Sequence, residues 1–235
     1  MKIISYRLNN ASSYGVLVNN ELYSLPENQS GLPATMNAFL ALEESGMEMA
    51  RQTAKQIEAG TLVAKPISNY EILAPVPHPT SCRDGYAFRQ HVEAARKNRG
   101  VEMIPEFDQY PIFYFTNHQA VEGPGPVYCM PDHFEQLDFE LEIAIVIGKK
   151  GRNIKASEAD AYIAGFTIMN DMSARKLQME EMLLNLGPAK GKDFSTVIGP
   201  WLVTPDELAQ KVAPTKAGHV GLNYNLEMKC YVNDI

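Results

Sequence analysis

Two carboxylates two residues apart open the most apolar run of the chain. The stretch DFELEIAIVIG, residues 138–148, carries Glu140 and Glu142 at its start. The residues that follow are rich in β-branched side chains and end at Gly148, which reads as a strand buried on both sides. Residues two apart on a strand share a face, so Glu140 and Glu142 point the same way, with Ala144 and Val146 behind them. Adjacent carboxylates repel and are costly to bury unpaired. A Lys or Arg, a shared proton or a metal ion between them resolves the conflict. So does a solvated start to the strand, since charged residues are mostly exposed.

Other segments carry chemistry of the same kind. Asp171 ends the apolar stretch GFTIMNDMSAR just before an expected helix. A rigid strand can aim such a side chain into a site, and the same position can simply cap the helix. In SCRDGYAFRQHVEAARKNRG, residues 81–100, Asp84 and His91 are seven apart, which on one continuous helix is two turns and one face. A His beside a metal-bound acid can serve as a general base; a plain surface His is the alternative. Lys190 and Lys192 lie in GPAKGKDFSTVIGP, residues 187–200, where glycine lets the backbone come close to an anionic ligand, or where the lysines are merely solvated. P-loop spacing, a GxSxG elbow and an HExxH pair are all absent. Together Asp84, Glu140, Glu142 and Asp171 are hard oxygen donors, which favour Mg²⁺, Mn²⁺ or Ca²⁺ over zinc or copper.

The elements that must position these groups follow from pattern. Residues 2–7 and 14–25 read as short strands, with Asn19 and Asn20 as a tight turn. Residues 34–59 read as helical with a break at Gly46, and the Pro-rich stretch 60–80 as an irregular connection. Residues 84–99 read as a helix, and 111–116, 139–147, 165–170 and 201–204 as strands. Ser173 is placed to cap a helix over 174–184. Strands that do not alternate regularly with long helices predict a mixed or antiparallel β core with peripheral helices.

Composition narrows the function classes. A net charge of −7 with no basic run disfavours nucleic acid and anionic membranes as partners. No apolar stretch reaches the length of a membrane span, and MKIISYRLNN lacks signal-peptide features. Three widely spaced cysteines match neither a disulfide framework nor a zinc site, so a reducing cytoplasm is expected.

Three ordered segments, LDFELEIAIVIG, NDMSARKLQ and GKDFSTVIGPWLVTPDEL, resemble the fumarylacetoacetate hydrolase family from about residue 72 onward. The resemblance implies an α+β fold: a mixed β-sandwich or roll with peripheral helices over 71–235, behind a small N-terminal α/β domain over 1–70. It implies a divalent cation, Mg²⁺ or else Ca²⁺ or Mn²⁺, held by Asp84, Glu140, Glu142 and Asp171. RDGYAFRQH is close to the D-x-Y-x-F-x-x-H pattern of the hydrolase branch, which makes His91 the catalytic base and Tyr86 a substrate contact. Lys192 matches the family's catalytic lysine, and Tyr114, Gln178 and Thr196 its substrate contacts. The implied reaction is hydrolytic cleavage of a C–C bond in a 1,3-diketo or oxo acid, fumarylacetoacetate- or acylpyruvate-like, from aromatic-compound breakdown, in a homodimer. A decarboxylase or isomerase of oxo dicarboxylic acids uses the same enolate chemistry, and an inactive metal-binding member is a third reading. Three departures stand out. Met172 replaces a common aromatic. Glu93 falls one position early for the His-x-x-Glu dyad of another branch. The chain ends at VNDI, where members continue, so 71–235 is expected to be C-terminally incomplete.

Overall fold

The computed structural model describes residues 1–235. Three strands come first: β1 (Lys2–Leu8), β2 (Ala11–Val18) and β3 (Glu21–Ser24). Two-residue turns join them, Asn9 with Asn10 (φ 50° and 64°) and Asn19 with Asn20 (φ 51° and 65°). A tight hairpin turn whose twist matches the strands needs positive φ at both central positions, which asparagine tolerates better than most residues. Helices α1 (Leu25–Asn28), α2 (Met36–Leu40) and α3 (Glu43–Glu58) follow, with Ser24 and Thr35 capping the first two through their hydroxyls. The expected break at Gly46 falls instead at 41–42. Gly46 lies buried inside α3, where a Cβ would sit 2.9 Å from Leu42 Cβ and 3.1 Å from Phe39 O, so its role is close helix approach.

The middle of the chain is mostly irregular. The short strand β4 (Glu71–Ile72) lies beside β1. Strand β5 (Cys82–Gly85) pairs with β6 (Phe113–Thr116), with helix α4 (Arg89–Asn98) between them in sequence. The continuous helix expected from Asp84 is therefore not formed: Asp84 is on a strand, and α4 begins only at Arg89. Pairing explains this, because Gly85 lies so close to the partner strand that a Cβ would be 2.7 Å from Ile112 O. Asp84 and His91 thus share no helix face.

The remaining strands are β7 (Val121–Glu122), β8 (Leu137–Asp138), β9 (Leu141–Ile147), β10 (Ile163–Asp171) and β11 (Ser173–Ala174), then helix α5 (Arg175–Met182) and strands β12 (Thr196–Val203), β13 (Val212–Ala213) and β14 (Asn223–Tyr224). Ser173 is not the cap expected for α5; it sits in β11 and its hydroxyl donates to the Asp171 carbonyl. The main sheet runs β3-β2-β1-β12-β10-β9 with antiparallel neighbours, β4 beside β1 and β7 parallel to β12. The architecture is α+β, a large antiparallel sheet with peripheral helices. The first three strands extend the same sheet as the later ones, joined where Ile3 pairs with Leu202. The largest core cluster spans that seam, packing Ile3, Tyr14 and Phe39 with Ala164 and Leu202.

Strand β9 is not buried on both sides as expected. It forms one edge of the sheet, and on the face away from the acids Ile145 is 51% exposed and Ile168 of β10 58%. No helix of the structure is long and apolar enough to cross a membrane.

Candidate metal centre

The register of the sheet assembles the acids. Asp171 at the end of β10 exchanges backbone hydrogen bonds with Glu140 (3.1 and 3.2 Å), and Met169 lies opposite Glu142. Directly opposed residues of antiparallel strands share a face, so Glu140, Glu142 and Asp171 stand together, with Thr196 of β12 opposite Asp171 on the same side. The β5–β6 hairpin brings Asp84 across from outside the sheet. Cys82, Asp84, Tyr114 and Thr116 share its inward face, while the Arg83 guanidinium stacks on the exposed rings of Phe113 and Phe115. One carboxylate oxygen from each of Asp84, Glu140, Glu142 and Asp171 can lie within 4.8 Å of all the others.

Two cations answer the first of the glutamates. The Lys192 ammonium, 3% exposed as a residue, sits 2.8 Å from Glu140 Oε2 and 2.7 Å from Asp171 Oδ2. Arg175, opening α5, binds Glu140 Oε1 and Asp138 Oδ2, each at 2.8 Å, and donates to Gln178 Oε1. Tyr114 Oη lies 2.9 Å from Asp84 Oδ2 and 3.0 Å from Asp171 Oδ2, so a single phenolic proton is shared between two acids.

The titration behaviour divides accordingly. Burial works against ionisation of Glu140, but Lys192 and Arg175 outweigh it and hold the carboxyl below its usual range. Glu142 has no cation. Burial, the charge of Asp84 and a hydrogen bond to Glu140 push it up to about 8. Burial raises Asp171 to about 7 against the pull of Lys192. Lys192 is itself raised: burial lowers it and the charge of Asp171 more than restores it. Burial and then the charge of Asp84 push the Cys82 thiol up to about 11, reporting the same negative field.

With all four acids ionised, Lys192 and an Arg175 shared with Asp138 leave the cluster net negative, as a cation site requires. Asp171 Oδ1 is buried without a hydrogen-bond partner. An all-oxygen donor set of this kind suits a hard cation, so the residues present fit Mg²⁺, Mn²⁺ or Ca²⁺.

The other candidates are distributed around this cluster. Thr196 is buried beside it, Tyr114 is within it, and Gln178 touches it through Arg175. Tyr86, 54% exposed, lines a cleft of about 1100 Å³ that Asp84, Glu142, Met169 and Ile198 also line. His91 is exposed on α4 and outside the acid group. Arg175 lies in the NDMSARKLQ segment, yet its type alone gave it no role, since the adjacent Lys176 carries the same charge and only the structure sends it elsewhere, to Glu135.

A family model described as "Fumarylacetoacetate (FAA) hydrolase C-terminal" matches residues 80–235. Among curated proteins, an "Oxaloacetate tautomerase FAHD2A, mitochondrial" of Homo sapiens is 34% identical over 210 residues, covering 86% of this chain and 57% of the relative. A "Fumarylacetoacetate hydrolase domain-containing protein 2 homolog" of Dictyostelium discoideum is 29% identical over 241 residues, covering 99% and 73%. The chain thus spans little more than half the length of the human relative. Among solved structures, a fumarylacetoacetate hydrolase from Exiguobacterium antarcticum superposes with a TM-score of 0.64 at 23% identity, covering 90% of this chain and 69% of that one. A maleylpyruvate hydrolase from Sphingobium gives a TM-score of 0.59 at 20% identity, with 90% and 70% covered.

Proposed function

Because this chain belongs to the fumarylacetoacetate hydrolase family, we propose that it acts on a small 2-oxo or 1,3-diketo acid by divalent-cation-assisted formation of an enol or enolate, and that keto–enol isomerisation of an oxo dicarboxylic acid is its principal reaction. The observation that carries this reading is the buried Lys192 ammonium fixed at 2.7 and 2.8 Å from two carboxylates of the cluster, with no imidazole among them. The curated relatives named oxaloacetate tautomerase point to the same chemistry.

The chain's own residues divide the work. Asp84, Glu140, Glu142 and Asp171 would hold the cation, which when bound supplies Lewis acidity toward the paired oxygens of an oxo acid. The Lys192 ammonium is a preorganised positive charge where an enol oxygen develops, and burial strengthens it because little water competes. Arg175 keeps Glu140 ionised and turned toward the cluster. The Tyr114 hydroxyl sets the separation of Asp84 and Asp171.

Cleavage of a C–C bond by hydrolysis is the second reading. It is favoured by the placement of α4, which only residues 86–88 separate from the strand of Asp84, with Tyr86 between them lining the cleft. The two readings part on one experiment. With Mn²⁺ or Mg²⁺, the enol form of oxaloacetate should disappear faster with the protein, and Lys192→Met should reduce the rate by about 10²-fold, the usual cost of one such donor. Cleavage of an acylpyruvate that is lost in His91→Ala, without oxaloacetate isomerisation, would move the assignment to the hydrolase. For the cation, Glu142→Ala should lower the melting temperature in Mn²⁺-containing buffer and not in chelator, because stabilisation by a ligand scales with its occupancy. Equal shifts in the two buffers count against a metal at Glu142.

A further inference from the structure

Glu181, near the end of α5, has no cationic partner. Its carboxylate instead accepts three consecutive backbone N–H groups: Ala189 at 2.8 Å and Gly191 at 3.0 Å on Oε1, and Lys190 at 2.7 Å on Oε2. Three successive amides converging on one carboxylate form a closed anion nest, here filled by the chain itself. The loop so held is the one that delivers Lys192. It wraps tightly on α5: a Cβ on Gly191 would lie 2.6 Å from Gln178 Cβ, and a Cβ on Gly187 3.2 Å from Glu181 Cγ. Gly191 O accepts from Ala174 N at 2.9 Å, and the chain then turns back sharply, with Lys192 N and Asp193 N donating to Ala189 O at 2.8 and 2.7 Å. Beyond that turn the Lys192 side chain reaches Glu140 and Asp171.

We propose that Glu181 is the positioning residue for Lys192: by holding the amides of 189–191 on α5 it fixes where the ammonium enters the acid cluster. The catalytic meaning of that placement rests on the function proposed above; the placement itself does not. Removing the carboxylate leaves three amides without an acceptor, and charge-assisted bonds of this kind are among the stronger ones a loop can make. The loop then opens on its own, and Lys192 leaves its two partners without general unfolding.

Pulsed labelling of amines with acetic anhydride on the full chain, read by peptide mass spectrometry, tests this without metal or substrate. In Glu181→Ala, Lys192 should label about tenfold faster or more, with Lys2 and Lys216 within about twofold of wild type, as for a local opening. Unchanged labelling of Lys192 in folded E181A overturns the proposal. If all lysines accelerate together in E181A, E181Q decides. Its Oε1 can still accept from Ala189 and Gly191, while its amide group faces the Lys190 N–H, so an intermediate Lys192 rate supports the proposal and a wild-type rate in folded E181Q overturns it. A second arm measures Mn²⁺ binding by electron paramagnetic resonance. E181A should change the affinity in the wild-type background and leave it unchanged in K192A; equal changes in both backgrounds contradict action through Lys192. A wild-type chain that binds no Mn²⁺ would sink the metal reading, while the labelling result would still stand for or against Glu181.

Discussion

Glu140 and Glu142 are neighbours on one strand face and live in opposite electrostatic surroundings. Two cations hold the first ionised, whereas the second is raised to about 8 by burial, with Asp84 and Glu140 adding to it. Carboxyl groups whose folded pKa lies above the unfolded value bind more protons in the native state, so stability falls as pH rises through the interval between the two. Glu142 and Asp171 place that interval between about 4 and 8. Chelator-treated protein should therefore resist urea better near about pH 5.5 than near about pH 8.5, and saturating Mn²⁺ should narrow the difference. Lys192→Met removes the ammonium from the buried Asp171 and the half-buried Glu140, and should cost about 3 kcal/mol in metal-free urea titrations at the alkaline end, since the buried charge of Asp171 loses its partner. It should cost less near about pH 5.5, where Asp171 is protonated. Glu140 and Glu142 were recognisable in the sequence because a two-residue spacing on a strand specifies a shared face; Asp84 and Asp171 joined them through residue type and the family resemblance, not through any local spacing. Lys192 was named as well, but the pairing of Arg175 with Glu140 and the hold of Glu181 on the 189–191 amides were not, because both are contacts that only the folded loop and helix create.

At the scale of elements, local patterns were readable where the cause is local. The asparagine turn at 19 and 20 and the strand of 141–147 follow from backbone preference and residue type. The stretch around Asp84 did not, since its helical appearance was overridden by pairing with a strand about thirty residues later, as cross-strand contacts commonly override propensity. The burial of β9 was misjudged for a related reason: an apolar run cannot reveal that nothing covers one face of its sheet, which leaves Ile168 of the inner strand β10 exposed as well. Close approach of the 187–192 loop to α5 gives a sharp prediction. Gly191→Ala would press a Cβ against Gln178 Cβ at 2.6 Å, Cα at 2.7 Å and N at 2.8 Å. Backbone atoms of a helix yield little, so the variant should lose about 3 kcal/mol of stability in urea, as overpacked sites do.

At the scale of the whole molecule, the uncovered face of β9 and β10 leaves Ile145 and Ile168 in solvent, and contiguous apolar exposure of this kind marks an association surface. The expected state is a homodimer; sedimentation velocity should show it, and Ile145→Lys should shift it toward monomer. A wild-type chain that sediments as a monomer at micromolar concentration would remove that face as the contact. The antiparallel β core with outlying helices was foreseeable from strand-rich patterning, but the seam between β1 and β12 was not, because no local signal joins residues so far apart.

That seam also dictates a timetable for synthesis. Ile3 leaves the ribosome about two hundred residues before its partner Leu202. Until β12 emerges, the Lys2–Ile3 end of β1 has no neighbour on the flank that β4 covers only at Tyr6 and Arg7, and the core around Phe39 lacks Leu202. Pairing across such a separation carries a large loop-closure cost and is slow. Nascent chains arrested before residue 196 should thus be protease-sensitive and engaged by chaperones, with protection arriving in one step once the missing strand docks.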